Sequence, residues 1–209
     1  MARFVLVRKK ERWTATWLGN LVLITILASL FFLFTRTIQP FLSPTETIPA
    51  HILIVEGFLP DYAIVEAGEI FTGENYELMI ITGKQRLKGA HLDLYDNDGE
   101  FSKATLVHLG FDPAKIKVVA LGNDILRDRT YESACAVKEW IDGNNIGETS
   151  INLVTIDCHA RRSWLLFNKA FGSEYNIGIV AIDDRSYDEK RWWKTSHGFR
   201  AVTKETIAW

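Results

Sequence analysis

The sequence contains little of what builds metal sites or disulfide frameworks: 209 residues include only two cysteines and five dispersed histidines. No CxxC or HxxxH spacing gathers them, so we expect no metal site. Neither GxGxxG nor GxxxxGK[ST] occurs, which removes the usual signatures of nucleotide-phosphate loops. The sequence contains no internal repeat.

A broad basic stripe is also missing. Residues 1–36 hold six Lys/Arg and one Glu, so residues 37–209 carry a net charge of −7 within a formal total of −2. Such a body does not neutralise nucleic-acid phosphates, so we expect no nucleic-acid partner. The 47% hydrophobic and 24% charged residues suit one globular domain plus an extra segment.

The extra segment is the apolar run of residues 17–35, which follows a basic cluster within residues 1–16. About 20 apolar residues span a bilayer as a helix, so we expect a transmembrane helix with the lipid bilayer as its partner. A cleaved signal peptide and a buried core helix are the alternatives. The positive-inside rule places residues 1–16 in the cytoplasm and the rest of the chain on the extracytoplasmic side of a bacterial inner or plasma membrane.

Residues 36–50 contain Pro40, Pro44 and Pro49 among scattered Ser and Thr, a composition typical of an extended linker. A domain over residues 51–209 is therefore predicted.

Short apolar runs alternate with helical patterns throughout this domain. Five Ile/Val-rich runs without strict polar alternation predict buried parallel strands: 51–57, 77–83, 115–122, 151–156 and 176–182. Helical patterns occupy 60–72, 98–110, 129–142, 159–171 and 190–208. The alternation predicts an α/β fold, a three-layer Rossmann-like sandwich with a mostly parallel sheet of about five strands. Ligands bind such sheets at the carboxyl ends of the strands.

The loops after the first two strands supply the first candidate ligand-binding residues. Glu56, Gly57 and Asp61 follow the first strand, and Gly83 and Lys84 follow the second. A long polar stretch over residues 84–100 comes next, and loops of that length are usually functional or mobile.

The loops after the third and fourth strands are cationic. Arg127, Arg129 and Thr130 precede one helix, and His159 and Arg162 open the next. Helix N-termini and arginines both bind oxyanions, so we expect an anion-binding crevice here. The alternative is a solvated rim in which the arginines pair with nearby carboxylates, namely Asp124, Asp128, Asp157 or Glu132.

Arg161 and Arg162 are expected to differ. At about 100° per residue, positions three apart share a helix face, so Arg162 should face the crevice with His159. Arg161 should lie on the flank and pair with a carboxylate or with solvent. Asp128 and Asp157 are the expected N-caps of the two cationic helices, and Gly172 is expected to end the second.

The order of these motifs resembles a known family. A strand followed by Gly, a strand ending in "TG", a helix opening "RTYES" and a strand ending near His159 with Arg162 close behind resemble the YdcF/SanA/ElyC-like bacterial family, a domain of unknown function. The resemblance covers residues 51–182. It implies a Rossmann-like fold and, for membrane-anchored members, a role in cell-envelope integrity or peptidoglycan metabolism. It does not imply an established reaction, and the sequence identifies no cofactor.

The match is uneven along the chain. Thr130 and Glu132 stand where the family has Thr and Glu, whereas Ser133 stands where Asn is usual. After the first strand, the family's Gly-rich residues and downstream Arg are replaced by a segment containing Glu56 and Asp61.

Catalysis, if present, would use His159 as acid or base. Arg127 and Arg162 would stabilise an oxyanion, with Glu132 or Asp61 as the second carboxylate. Cys158 beside His159 is a weaker nucleophile candidate. In an oxidising compartment Cys135 and Cys158 form a disulfide if their Cα atoms lie close enough; otherwise both are buried thiols.

The tail after residue 185 is rich in aromatic and basic residues. Trp192 and Trp193 are expected to pack a terminal helix against the sheet edge, with an interfacial membrane belt as the alternative. His197 and Arg200 would then point back toward the crevice.

Three functions compete at this point. The first is a membrane-anchored envelope domain that binds a phosphate- or carboxylate-bearing metabolite. The others are a non-catalytic envelope scaffold and a nucleotide-type cofactor-binding domain, the last suggested by fold analogy alone.

Overall fold

The computed structural model describes residues 12–85, 94–122 and 127–208. Residues 86–93 of the long loop expected over 84–100 lie outside this part of the chain, as do Asp124 and the basic residues Arg8, Lys9 and Lys10. The chain divides into two compact units, residues 1–37 and 38–209.

The predicted transmembrane segment is one long helix, α1 (Trp17–Leu42), of 26 residues. Its mean hydropathy reaches 2.2 and only 6% of its most apolar stretch is buried, so it is long and apolar enough to cross a membrane. The helix also runs through Pro40, which corrects the prediction of an extended linker from residue 36. Proline locks φ near its helical value, although its ring normally disrupts a helix interior. Only 43–50 remain non-helical.

The second unit is an α/β domain with five parallel strands. They are β1 (Ile52–Glu56), β2 (Leu78–Gly83), β3 (Ile116–Ala120), β4 (Ser150–Ile156) and β5 (Asn176–Ile182). Five further helices follow the order of the chain: α2 (Asp61–Gly73), α3 (Asp98–His108), α4 (Arg129–Gly143), α5 (Ala160–Phe171) and α6 (Ser196–Ala208). The predicted α/β fold is confirmed.

The strand order is β3-β2-β1-β4-β5. The strands β1, β2 and β3 follow one another to one side of β1. The chain then returns, and β4 and β5 lie on the other side of β1. The order reverses between β1 and β4, which makes their carboxyl ends the topological switch point where ligands bind in such sheets.

Helices cover both faces of the sheet. Successive side chains of β1 alternate between the two apolar clusters that these helices form with the sheet. Ile52 and Ile54 pack with α4 and α5, whereas Leu53 and Val55 pack with α2 and α3. All five residues of β1 are buried, which explains why the strand lacks a polar alternation.

A smaller apolar cluster joins the tail to the end of α1. Trp192, in the 3-10 helix Glu189–Lys194, is 5% exposed and packs with Leu42, Cys158 and Val202 of α6. The packing expected for the tail is thus observed for Trp192, whereas Trp193 is 37% exposed.

Candidate functional site

A cavity of about 1280 Å³ lies at the carboxyl edge of the sheet. Residues at or just after the end of every strand line it, and the first turns of α4 and α5 and one face of α6 complete it. Residues that contribute from the five strand ends include Glu56, Thr82, Leu121, Ile156 and Asp184. The position agrees with the one predicted from the strand alternation.

Seven of the eleven predicted site residues line the cavity. They are Glu56, Lys84, Arg129, Thr130, Glu132, His159 and Arg162. The four others lie outside its lining.

Gly57 and Gly83 are closely packed at the edge of the sheet. The Gly57 N–H donates to the Thr82 carbonyl at 3.1 Å, and a Cβ on Gly57 would collide with that oxygen. A Cβ on Gly83 would collide with Asn97, the N-cap of α3. Asp61 begins α2, and Arg127 is exposed just before α4.

The centre of the cavity wall is a cluster of four charged or titratable side chains: Glu56, His159, Arg162 and Glu205. Arg162 holds the Glu205 carboxylate with two bonds, from Nε to Oε2 at 2.7 Å and from Nη2 to Oε1 at 3.1 Å. Glu205 is 4% exposed, so the pair is largely desolvated. We call these four residues the His159 cluster.

Two partners surround Nδ1 of His159. Glu205 Oε1 lies 3.2 Å from Nδ1 and Arg162 Nη2 lies 3.0 Å from it. With a proton on Nδ1, the ring donates to Glu205; without one, Nδ1 accepts from Arg162. Nε2 is buried, has no hydrogen-bond partner among the described residues and lies 3.7 Å from Glu56 Oε2.

Glu56 sits at the end of β1 and is 2% exposed. Its Oε2 accepts hydrogen bonds from Thr155 of β4 and, at 2.9 Å, from Ser163 of α5. Neutral donors therefore satisfy one carboxylate oxygen at the switch point without neutralising its charge.

Hydrogen bonds set the pKa of Glu205. Burial alone would raise it, but the bonds from His159 and Arg162 outweigh burial and lower the pKa of Glu205 to about 2. The bond to Glu205 also raises the pKa of Arg162. The carboxylate that offsets the cationic start of α5 is thus Glu205, a residue absent from the predicted set.

Arg161 and Arg162 diverge as predicted from the helix geometry. The Arg161 guanidinium lies 4.2 Å from the Phe41 ring centroid, and its Nε donates to the Phe41 carbonyl. Arg161 therefore contacts an aromatic ring and a backbone oxygen. The predicted partner, a carboxylate or solvent, is wrong.

Neither of the two expected N-cap residues, Asp128 and Asp157, caps its helix with a side-chain hydrogen bond. Asp128 precedes α4 with φ of 49° and makes no capping hydrogen bond. Asp157, with φ of 42°, begins the 3-10 turn Asp157–His159, and its carboxylate accepts from Gln39 Nε2 at 2.6 Å and from the Tyr187 hydroxyl. Gly172 does end α5, with φ of 76° and its N–H bonded to the Asn168 carbonyl, as predicted.

The cysteines are free thiols: Cys158 is buried and Cys135 is half-buried. The disulfide alternative is therefore not the arrangement observed. Burial raises the pKa of Cys158 to about 12, so at neutral pH it is a thiol and a poor nucleophile.

Carboxylates and cations both line the rest of the cavity, and Asp98, Asp128 and Glu132 are among the carboxylates. Asp157 and Asp184 both accept protein hydrogen bonds, Asp184 from His197 Nε2 at 3.1 Å. Lys84 and Arg129 line the cavity, are exposed and form no ion pair within the described part of the chain. His197 and Arg200 line the cavity too, as expected for the tail. No cluster of metal ligands occurs among the described residues.

The fold and the position of the cavity define a Rossmann-like α/β domain with a cavity at its switch point. No protein-family profile matches the sequence, and no curated protein matches it either.

Proposed function

We propose that this chain is a membrane-anchored domain of the bacterial cell envelope that binds a phosphate- or carboxylate-bearing metabolite in its cavity. The observation that carries the proposal is that Lys84 and Arg129 are exposed on the lining and form no ion pair within the described residues, whereas the buried carboxylates Glu56 and Glu205 are already hydrogen-bonded. Within the described residues, these two cations are open to an anion that enters the cavity.

The start of α4 supports the same ligand class. Six consecutive residues, 128–133, line the cavity at this helix N-terminus. One of them is Thr130, whose side chain carries a hydroxyl group. Free N–H groups and the positive end of the helix dipole favour an anion at such a point.

Arg129→Ala is expected to weaken binding of inorganic phosphate roughly tenfold or more, because a charge-assisted hydrogen bond contributes about 1.5–3 kcal/mol. Arg127→Ala is the matched control: it removes the same charge two residues away, outside the lining, and should change the affinity less than about twofold. Isothermal titration calorimetry on the detergent-solubilised chain measures both. Equal losses in the two variants, or no phosphate binding by the unaltered chain, would leave the scaffold function as the better explanation.

The envelope location rests on α1, on the basic residues that precede it and on the family resemblance. We expect a reporter enzyme fused after residue 209 to be active only outside the cytoplasm. The chain should stay in the membrane fraction after high-salt and alkaline washes, because about 20 apolar residues anchor a helix in lipid. Cytoplasmic reporter activity would contradict the orientation, and release by alkali would contradict the anchor.

A further inference from the structure

We propose that the cavity hydrolyses a phosphoester, with His159 as the acid–base residue, Glu205 as its positioning residue and water as the nucleophile. This inference rests on the proposed function, which supplies an anionic ligand, and adds a reaction to it. The observation behind it is the asymmetry of His159: Nδ1 lies within hydrogen-bond distance of Glu205 and Arg162 and bonds one or the other according to its tautomer, whereas the buried Nε2 has no hydrogen-bond partner among the described residues.

The surroundings of Nδ1 suit a ring that changes its protonation state. Glu205 Oε1 accepts from Nδ1–H at 3.2 Å, and this bond persists when Nε2 takes up a second proton. In the tautomer with Nδ1–H, Glu205 orients the ring and the lone pair lies on Nε2; this tautomer gives up the alternative bond from Arg162 Nη2 to Nδ1. Arg162 in turn holds Glu205 through two bonds, so the carboxylate cannot rotate away. The proton that moves in a reaction is therefore the one at Nε2.

Charge balance in the His159 cluster permits a reaction on an anion. Glu56 and Glu205 carry two negative charges, and Arg162 carries one positive charge. Uptake of a proton by His159 brings the sum to zero, with Glu56 Oε2 3.7 Å from the newly charged Nε2. Carboxylates on both sides of the ring stabilise the imidazolium that forms during proton transfer.

Side-chain nucleophiles close to His159 are unsuitable. Ser163 and Thr155 are fully buried, and both hydroxyls donate to Glu56. Cys158 is 5% exposed and protonated at neutral pH, because burial raises its pKa to about 12. The nucleophile that His159 can activate is thus a water molecule that enters with the substrate.

The substrate class follows from combining anion binding with attack by water. A carboxylate ligand has no good electrophilic centre at its anionic group. A phosphoester carries its charge on the non-bridging oxygens and its electrophilic phosphorus in the same group, so one binding mode serves both recognition and reaction.

In the proposed step, the water oxygen bonds to phosphorus while one water proton passes to Nε2 of His159. The bond from phosphorus to the alkoxide oxygen breaks, and its electron pair stays on that oxygen. The Nε2 proton then passes to the alkoxide, which leaves as an alcohol. One water is consumed, one alcohol and one phosphate group are released, and His159 returns to its starting state.

The test uses the detergent-solubilised full chain with 4-nitrophenyl phosphate and bis(4-nitrophenyl) phosphate as probes, and calorimetry with inorganic phosphate. We expect release of 4-nitrophenol from at least one probe. His159→Gln should lower kcat at least 100-fold, since general acid–base catalysis contributes about 10²–10⁴-fold, and should leave phosphate affinity within about twofold. His108→Gln, at an exposed site on α3 outside the cavity lining, is the matched control and should keep full activity.

Two further variants separate chemistry from folding. His159→Ala should regain activity when imidazole is added to the solution, a rescue that a purely structural histidine would not show. Glu205→Gln should lower kcat with KM nearly unchanged, and Glu205→Asp should restore part of the loss.

The outcomes distinguish the two proposals. Phosphate binding by the unaltered chain without hydrolysis of either probe overturns the hydrolase inference and leaves the proposed function standing. Absence of both binding and hydrolysis overturns both. Hydrolysis that survives His159→Gln, or that imidazole fails to restore in His159→Ala, overturns the role of His159.

Discussion

Replacing Arg162 with alanine is expected to lower the free energy of unfolding by about 3 kcal/mol, because it leaves the Glu205 carboxylate buried without its guanidinium partner. The value is near the lower end for a broken buried ion pair, since the Arg162 side chain keeps 22% of its surface exposed. Urea denaturation of the detergent-solubilised chain, followed by tryptophan fluorescence, measures the loss.

Arg161→Ala is the matched control for this experiment. Arg161 stacks on Phe41 and donates to a backbone carbonyl in an exposed setting, so its loss should cost less than about 1 kcal/mol. The double variant Arg162→Ala/Glu205→Gln should recover part of the stability lost in Arg162→Ala, because it no longer buries an unpaired charge. Equal losses for Arg161→Ala and Arg162→Ala would show that the Arg162–Glu205 pair contributes no more than a surface contact.

Acidification should destabilise the domain through Glu205. Its pKa falls from an ordinary 4.5 to about 2 in the folded chain, so the unfolded chain binds the proton more readily. The stabilisation is complete above the unfolded pKa and is lost as the pH falls through about 2. At about 1.4 kcal/mol per pKa unit, the loss is about 3 kcal/mol.

Comparison with Glu205→Gln isolates this contribution. The contribution of Asp157 to the pH dependence of stability has the opposite sign to that of Glu205. Burial raises the pKa of Asp157, so its charged form lowers the stability of the folded chain at neutral pH. Both chains retain Asp157, so its effect cancels in the difference between them. We expect the stability advantage of the unaltered chain over Glu205→Gln to shrink between pH 5 and pH 2. An advantage that stays constant over this range would contradict the lowered pKa.

Strands and cavity position were predictable because they follow from strong local patterns. The run Ile52–Glu56 lacks polar alternation because both of its faces are covered, and a strand buried on both faces in an α/β pattern belongs to a parallel sheet. Parallel strands bring their carboxyl ends to one edge, so His159 and Thr130 could be placed near each other without coordinates.

Glu205 was not predictable by the same means. It lies 43 residues beyond Arg162, on a helix whose docking depends on Trp192 and Val202, and no local spacing connects it to the site. The one signal in the sequence is that Glu205 stands on the apolar face of a predicted helix. Charged residues at such positions are rarely fully buried unless they are paired. That signal predicts a cationic partner without identifying it.

The aspartates before the two cationic helices misled the cap prediction for a different reason. Composition identifies residues able to cap, but the backbone decides whether they do. Asp128 and Asp157 both adopt positive φ, which differs from the extended conformation of an N-cap, so their side chains are not aimed at the N–H groups of the first turn. The carboxylate of Asp157 turns instead to Gln39, 118 residues earlier in the chain.

The strand order also governs how the chain reaches its folded state. Pairing β1 with β2 joins Ile52 to Leu78, whereas pairing β1 with β4 joins residues such as Glu56 and Thr155 that lie 99 apart. Closing the longer loop costs about 1 kcal/mol more chain entropy, and contacts between distant residues slow folding. We therefore expect the β1–β3 half of the sheet to assemble before β4 docks, with the hydrogen bonds from Thr155 and Ser163 to Glu56 forming late. During refolding, recovery of ligand binding should consequently lag behind recovery of secondary structure.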